Sequence, residues 1–158
     1  MSIAFVTGAS RGLGREVARG LVAAGHQVIG IGKDPHRAQE TSAELGIEFE
    51  IADLQSISEA RDLATRLLSK RGVPEIVVLA HGVMSEKMAK TLRTNDDEWS
   101  RVMNINLNSV FTLVNALGAP MAEARNGRII IFSACLGRMS GPGNAGGLAP
   151  YRISKAGV

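Results

Sequence analysis

The chain has 158 residues, 45% of them apolar and 21% charged, with a formal net charge of +3. That length holds one ordinary domain with a real core, and the balance excludes a disordered or fibrous chain. The charge is too small, and the basic residues too evenly spread, to argue for a nucleic-acid partner, whereas a small anionic ligand fits.

Apolar runs and helical stripes alternate along the chain. "IAFVTG" predicts a first strand ending in a glycine-rich turn. "GREVARGLVAAG" then puts Val17, Leu21 and Val22 on one helical stripe closed by Gly25. "QVIGIG" predicts the second strand, and "PHRAQETSAELG" a helix with Pro35 in its first turn and Gly46 past its end. "IEFEIADL" is the third strand. "SISEARDLATRLLSKRG" is an amphipathic helix in which Ser56 and Glu59 are spaced as a capping box. "PEIVVLAHG" reads as a continuous apolar strand, covered on both faces, and a polar loop follows from about residue 85 to 94. "NDDEWSRVMNINLNSVFTLVNALGAPMAEA" predicts one long helix with acidic residues in its first turn, where the helix dipole favours them. "GRIIIFSA" is the fifth strand, followed by a glycine-rich loop over residues 137–147 and a new helix start.

This alternation predicts an α/β fold, a doubly wound parallel sheet between helices, in a single domain over residues 1–158. The lone cysteine, Cys135, excludes an internal disulfide and fits a reducing compartment. The opening "MSIAFVTGAS" has neither a basic region nor a long apolar stretch, so no signal peptide is expected. No apolar run reaches about 18 residues, so no membrane span is expected, and a cytoplasmic enzyme or binding domain is the default. The histidines are far apart and there is no cysteine cluster, so no metal site is expected.

"VTGASRGLG" places Gly8, Gly12 and Gly14 between a strand and a helix. Glycines let the turn tighten and its backbone approach a pyrophosphate, while the helix start offers unpaired N–H groups. A tight strand-to-helix turn explains the glycines equally well by themselves, but their place inside a strand–helix–strand unit favours a dinucleotide. "APYRISKAGV" sets Tyr151 and Lys155 one helical turn apart. A phenol titrates near about pH 10 in water, and a neighbouring ammonium favours its charged form. An unremarkable surface helix would also carry such a pair, but this one follows the fifth strand, at the sheet edge where ligands bind.

The segment from Thr7 to Gly14 resembles T-G-x-x-x-G-x-G of the short-chain dehydrogenase/reductase family, and "YRISK" resembles its Y-x-x-x-K. The resemblance implies a hydride transfer between nicotinamide and a carbonyl or alcohol. In that reading Tyr151 is the acid/base, Lys155 assists it and binds the ribose, and Asn106, in "MNINLNSVF", matches the proton-relay asparagine. The implied cofactor contacts are Gly8, Ser10, Arg11, Gly12, Leu13 and Gly14 in the turn, Lys33, Asp53 and Leu54, Ala80 and Gly82, and Tyr151 and Lys155. At the end of the second strand, where an NAD site places a carboxylate, stand Gly32 and Lys33. Lys33 would attract a 2′-phosphate and Arg11 could close on it, so NADP(H) is expected over NAD(H). Taken singly, each could be a solvated surface cation, and Asp53 a turn or capping residue.

Some positions depart from the family. Its serine position is occupied by Ala134 in "FSACLG", leaving Ser133 one residue earlier and Ser140 in the loop as candidates. Its Asn-Asn-Ala-Gly is here Leu79-Ala80-His81-Gly82, so the contacts of the missing amides must be replaced. His81 reads more readily as a structural hydrogen-bonder than as a cofactor contact. The family's domain is longer than this chain, which implies absent carboxyl-terminal strands, an exposed sheet edge, and an isolated chain of poor solubility and little activity. The resemblance also implies a homo-oligomer of the full-length protein, and the apolar surface of the long helix over residues 99–117 suits such a subunit contact. Met84, Met88 and Met139 could line an apolar substrate pocket, or simply fill the core. Two alternatives remain: a non-catalytic dinucleotide-binding sensor or scaffold, which Ala134 favours, and a methyltransferase or other mononucleotide-binding domain, which gives Tyr151 and Lys155 no role.

Overall fold

The computed structural model describes residues 2–86, 88–138 and 147–158. Five strands, β1 (Ile3–Thr7), β2 (Gln27–Gly32), β3 (Glu48–Ile51), β4 (Ile76–Leu79) and β5 (Arg128–Ile131), form one parallel sheet in the order β3-β2-β1-β4-β5. Between them run α1 (Gly12–Ala23), α2 (Pro35–Leu45), α3 (Ile57–Arg71), α4 (Asp96–Met103) and α5 (Ser109–Glu123), and α6 (Ala149–Gly157) follows β5. The expected α/β, doubly wound parallel sheet is the observed one.

Strand alternation sorts the core into two layers. Phe5, Ile29, Val77 and Leu79 turn to one face, against Leu63 and Leu67 of α3 and Leu113 and Leu117 of α5. Ala4, Val6, Val28 and Val78 turn to the other, against Ala18, Val17 and Leu21 of α1 and Leu45 of α2. Each inner strand therefore needs apolar residues at consecutive positions, which is why these runs lack polar alternation. Among the described residues β5 pairs only with β4, and its Ile130 and Ile131 are 41% and 39% exposed.

The helix ends follow local chemistry. Asp34 caps α2 by accepting from the N–H groups of His36 and Arg37, and Gly46 ends it with φ of 65°. Asn95 caps α4, whose first turn carries Asp96, Asp97 and Glu98. The capping box expected at α3 is one-sided. Ser56 Oγ accepts from Glu59 N at 3.3 Å, but Ser56 N–H donates to the Asp53 carbonyl at 3.1 Å, because the chain turns there from β3.

The expected single long helix is divided. Asn104–Asn108 adopts π-helical geometry between α4 and α5. Such a bulge carries one residue more per turn and loosens the helical ladder. Here it turns Asn106 fully inward, where its side chain bonds both backbone groups of Val83. The expected polar loop contains a 3₁₀ turn over Thr91–Arg93. Among the described residues no helix is long and apolar enough to cross a membrane.

The one-sided cap makes Ser56→Ala the costlier change at this helix start. It should lower unfolding free energy by about 1 kcal/mol in a urea melt, and Glu59→Gln by well under that. Equal losses from the two substitutions would contradict the observed bonding.

Candidate active site

A cleft of about 670 Å³ opens at the carboxyl ends of β1, β2 and β4. The chain passes from β1 through α1 to β2 on one side and returns through α3 to β4 on the other, so the cleft sits where the strand order reverses. Its lining includes Gly8, Ser10, Arg11, Gly12, Leu13, Gly14, Lys33, Asp53, Leu54, Ala80 and Gly82. Those are all the residues expected to hold the dinucleotide except Tyr151 and Lys155.

The floor is backbone. Gly8 has φ of 68°, and a Cβ there would stand 3.0 Å from the backbone of His81. A Cβ on Gly14 would overlap the carbonyl of Gly8. No side chain caps α1 and no acidic residue stands in its first turn, so its leading N–H groups face the cleft without a competing carboxylate. These features fit a pyrophosphate.

The cations at the far end are arranged differently from expectation. Lys33 Nζ lies 2.6 Å from Asp53 Oδ2. Asp53 Oδ1 also accepts from Gln55 N at 3.0 Å. Partial burial opposes the charge on Asp53, but Lys33 and the Gln55 N–H outweigh it and hold the carboxyl below its usual range. Arg11 is exposed at the start of α1. Arg37 also lines the cleft, with Nε 3.4 Å from Asp34 Oδ2. Sequence reasoning passed over Arg37, although its place in the first turn after β2 put it on the same sheet edge as Lys33.

At the other end, α6 and the π-helical segment bring Lys155 and Asn106 to Gly82. Tyr151 and Lys155 lie one turn apart on α6. Lys155 is only 7% exposed, its Nζ donates to the Phe132 carbonyl at 2.7 Å, and burial holds it below the usual lysine range. Asn106 donates to Ser154 Oγ at 3.0 Å and Val83 O at 2.9 Å, and accepts from Val83 N at 2.8 Å. Ser154 in turn donates to the Tyr151 carbonyl at 2.8 Å. A Cβ on Gly82 would stand 3.5 Å from both Asn106 Oδ1 and Lys155 Nζ, so both groups lie behind Gly82, itself in the cleft lining.

Ser133 donates to the Lys155 carbonyl at 2.5 Å, so its hydroxyl clamps α6 and does not line the cleft. Ser140 and Met139 lie outside the described residues. Met84 and Met88 are 54% and 79% exposed, so neither is core filler. Among the described residues no group of three or more His, Cys, Asp or Glu could hold a metal ion.

His81, also in the lining, is buried between Thr7 and Ser109. Its Nδ1 is 2.6 Å from Thr7 Oγ1 and its Nε2 2.9 Å from Ser109 Oγ. Burial, with the nearby charge of Lys155, pushes its pKa down to about 4, against the opposing pull of the Ile105 carbonyl. The imidazole thus ties the end of β1 to the start of α5, beside Gly82.

With this geometry in view, the comparisons with known proteins are consistent. A family model described as short chain dehydrogenase matches residues 2–158. The 3-oxoacyl-[acyl-carrier-protein] reductase FabG of Escherichia coli K12 is 36% identical over 99% of this chain and 62% of its own length. Its Salmonella typhimurium counterpart is 37% identical over the same shares. The chain therefore spans about three fifths of the length of these relatives. A solved short chain dehydrogenase from Shigella flexneri complexed with NADP has a TM-score of 0.83 and 27% identity, covering 99% of this chain and 66% of that one. A structure described as ribose-5-phosphate isomerase from Brucella melitensis reaches 0.89 at 29% identity, over 99% and 58%. Different named activities on one fold mean that function here must be argued from the site.

The buried imidazole makes folding pH-dependent. A free imidazole takes up its proton near pH 6.5, while the folded one resists until about 4, so the unfolded chain binds the extra proton between them. Stability from this group is full above 6.5, falls as pH drops through that window, and is flat below about 4. The fall should amount to roughly 3 kcal/mol. Thermal melts from pH 7 to 4 should show it, and His81→Asn should remove most of it. An unchanged pH slope in that variant would contradict the assignment.

Proposed function

The chain belongs to the short-chain dehydrogenase family, and on that premise we propose that it works as an NADP(H)-dependent oxidoreductase acting on a carbonyl or the matching alcohol. The observation that carries this reading is the convergence of Asn106 and the Lys155 ammonium on Gly82, at the end of a glycine-floored cleft. A dinucleotide seat alone would use the Lys155 ammonium for the ribose but would need no buried Asn106 beside it.

The cofactor, when bound, supplies or accepts the hydride. Gly8, Gly12 and Gly14 leave room for the pyrophosphate at the start of α1. Arg11 and Arg37 offer guanidinium forks to a 2′-phosphate. Lys33 neutralises Asp53, which would otherwise repel that phosphate, and remains within reach of it. Leu54 and Ala80 shape the walls, and Ser10 lies in the turn between them.

Tyr151 gives its phenolic proton to the developing alkoxide during reduction and takes it back during oxidation. Lys155 supplies positive charge on the same helical face and ammonium donors for ribose hydroxyls. Asn106 holds the π-helical segment against Val83 and Ser154, which keeps a proton path open towards Lys155. The substrate belongs to the broad carbonyl class, of which the 3-oxoacyl group named for the relatives is one member. A cytoplasmic homo-oligomer of the intact protein completes the reading.

A second reading is a non-catalytic dinucleotide-binding protein. It is favoured by Ala134, which has no hydroxyl, and by Ser133, whose hydroxyl is already given to Lys155 O. Loss of nicotinamide absorbance on mixing the intact protein with NADPH and a panel of ketones separates the two.

Tyr151→Phe should reduce that turnover at least about a hundredfold while leaving NADPH binding within roughly twofold. Full activity in this variant would sink the assignment. Arg11→Ala and Arg37→Ala should each raise KM for NADPH about tenfold and leave NADH unaffected. Equal effects on the two cofactors would remove the 2′-phosphate from the argument.

A further inference from the structure

Thr7, His81 and Ser109 come from three separate parts of the fold: the end of β1, the chain just past β4, and the first residue of α5. One imidazole joins them. The distances also assign its protons. Ser109 Oγ donates to the Ile105 carbonyl at 2.8 Å, so His81 Nε2 is the donor to Ser109. Nδ1 is then bare and accepts from the Thr7 hydroxyl, which has only a longer alternative, Val78 O at 3.4 Å. Every donor is used when the ring is neutral and protonated on Nε2.

The next two residues touch the candidate catalytic groups. Gly82 faces Asn106 Oδ1 and Lys155 Nζ, and the Val83 backbone donates to Asn106 Oδ1 and accepts from Asn106 Nδ2. His81 is therefore where the strand end carrying these contacts is fastened. In the family pattern Asn-Asn-Ala-Gly the amides fall at Leu79 and Ala80 and the alanine at His81. Leu79 is packed in the core and cannot replace an amide.

We propose that His81 is a positioning residue: by linking Thr7 to Ser109 it holds Gly82 and Val83, and through them Asn106 and Lys155, in register with the glycine turn. The inference rests on the reading of the site as an oxidoreductase centre. It moves the task of the family's amides one residue along the strand and from an amide to a neutral ring. The groups facing the ring are the Thr7 hydroxyl from β1, the Ser109 hydroxyl from α5, the Ile105 carbonyl from the π-helical segment and the Lys155 ammonium from α6. A second cation at His81 would oppose Lys155, so neutrality is part of the role.

The test uses the intact protein, NADPH and a ketone that the wild type reduces. His81→Ala should lower kcat roughly ten- to hundredfold while changing the NADPH dissociation constant less than about threefold. The double variant Ala80→Asn/His81→Ala, which restores Asn-Ala-Gly, should recover most of that loss. Wild-type kcat in the single variant overturns the proposal, as does a parallel loss of rate and NADPH binding that the double variant fails to rescue. Independently of activity, ¹⁵N spectra of the labelled protein, with the ring assigned by its through-space contacts to Thr7 and Ser109, should show a neutral Nε2–H imidazole at pH 6. A ring protonated on Nδ1, or titrating near pH 6.5, overturns the proposal even if the alanine variant does not fold. A wild type that reduces no carbonyl would refute the oxidoreductase reading, and the spectra would still test the linkage.

Discussion

The ends of β1 and β4 approach so closely that a Cβ on Gly8 would lie 3.0 Å from the backbone of His81. The other features of the site follow from this contact. It places the start of α1 beside the chain past β4, and the two together form the floor of the cleft. It also sets Gly82 where Asn106 and Lys155 can reach it. A side chain at Gly8 would both strain the turn and push the strands apart, so the cleft floor and the contacts behind Gly82 would be lost together.

The cleft separates its charges. Arg11, Arg37 and Lys33 gather at the end beyond β2, while the Lys155 ammonium sits some distance away under Gly82. The Lys33–Asp53 pair is well exposed and contributes little to stability, so under the proposed NADP(H) reading its value lies in cancelling a carboxylate beside the 2′-phosphate. Lys155 is different, because it is buried and held by the Phe132 carbonyl. Ser133 fastens the backbone of the same residue. Two residues at the end of β5 thus aim the ammonium, which explains why the hydroxyl at Ser133 is spent on the helix.

Much was legible in advance. Consecutive apolar residues such as Val77, Val78 and Leu79 can only be buried on both faces of a sheet, and the spacing of strands and helices left a parallel arrangement as the natural answer. The glycine turn, Lys33, Asp53 and Gly82 all fell on the cleft because strand ends in such a sheet share one edge. The misses have local physical reasons. The π-helical insertion does not alter hydrophobic periodicity enough to be seen in "VMNINLNS". Arg37 looks like any helix-surface arginine until β2 is oriented. The one-sided cap at Ser56 depends on a turn with Asp53 that spacing cannot reveal.

Sequence alone determined the layer architecture, the place of the glycine-rich turn and the spacing of Tyr151 and Lys155, because each is written in short-range periodicity or motif spacing. Tertiary structure alone decided the partners of the buried polar groups. Thr7, His81 and Ser109 lie far apart in the chain, as do Asn106 and Ser154, and Ser133 and Lys155. Their hydrogen bonds are set by how the strand ends and helices pack, and burial then requires each donor and acceptor to find the partner that packing brings within reach.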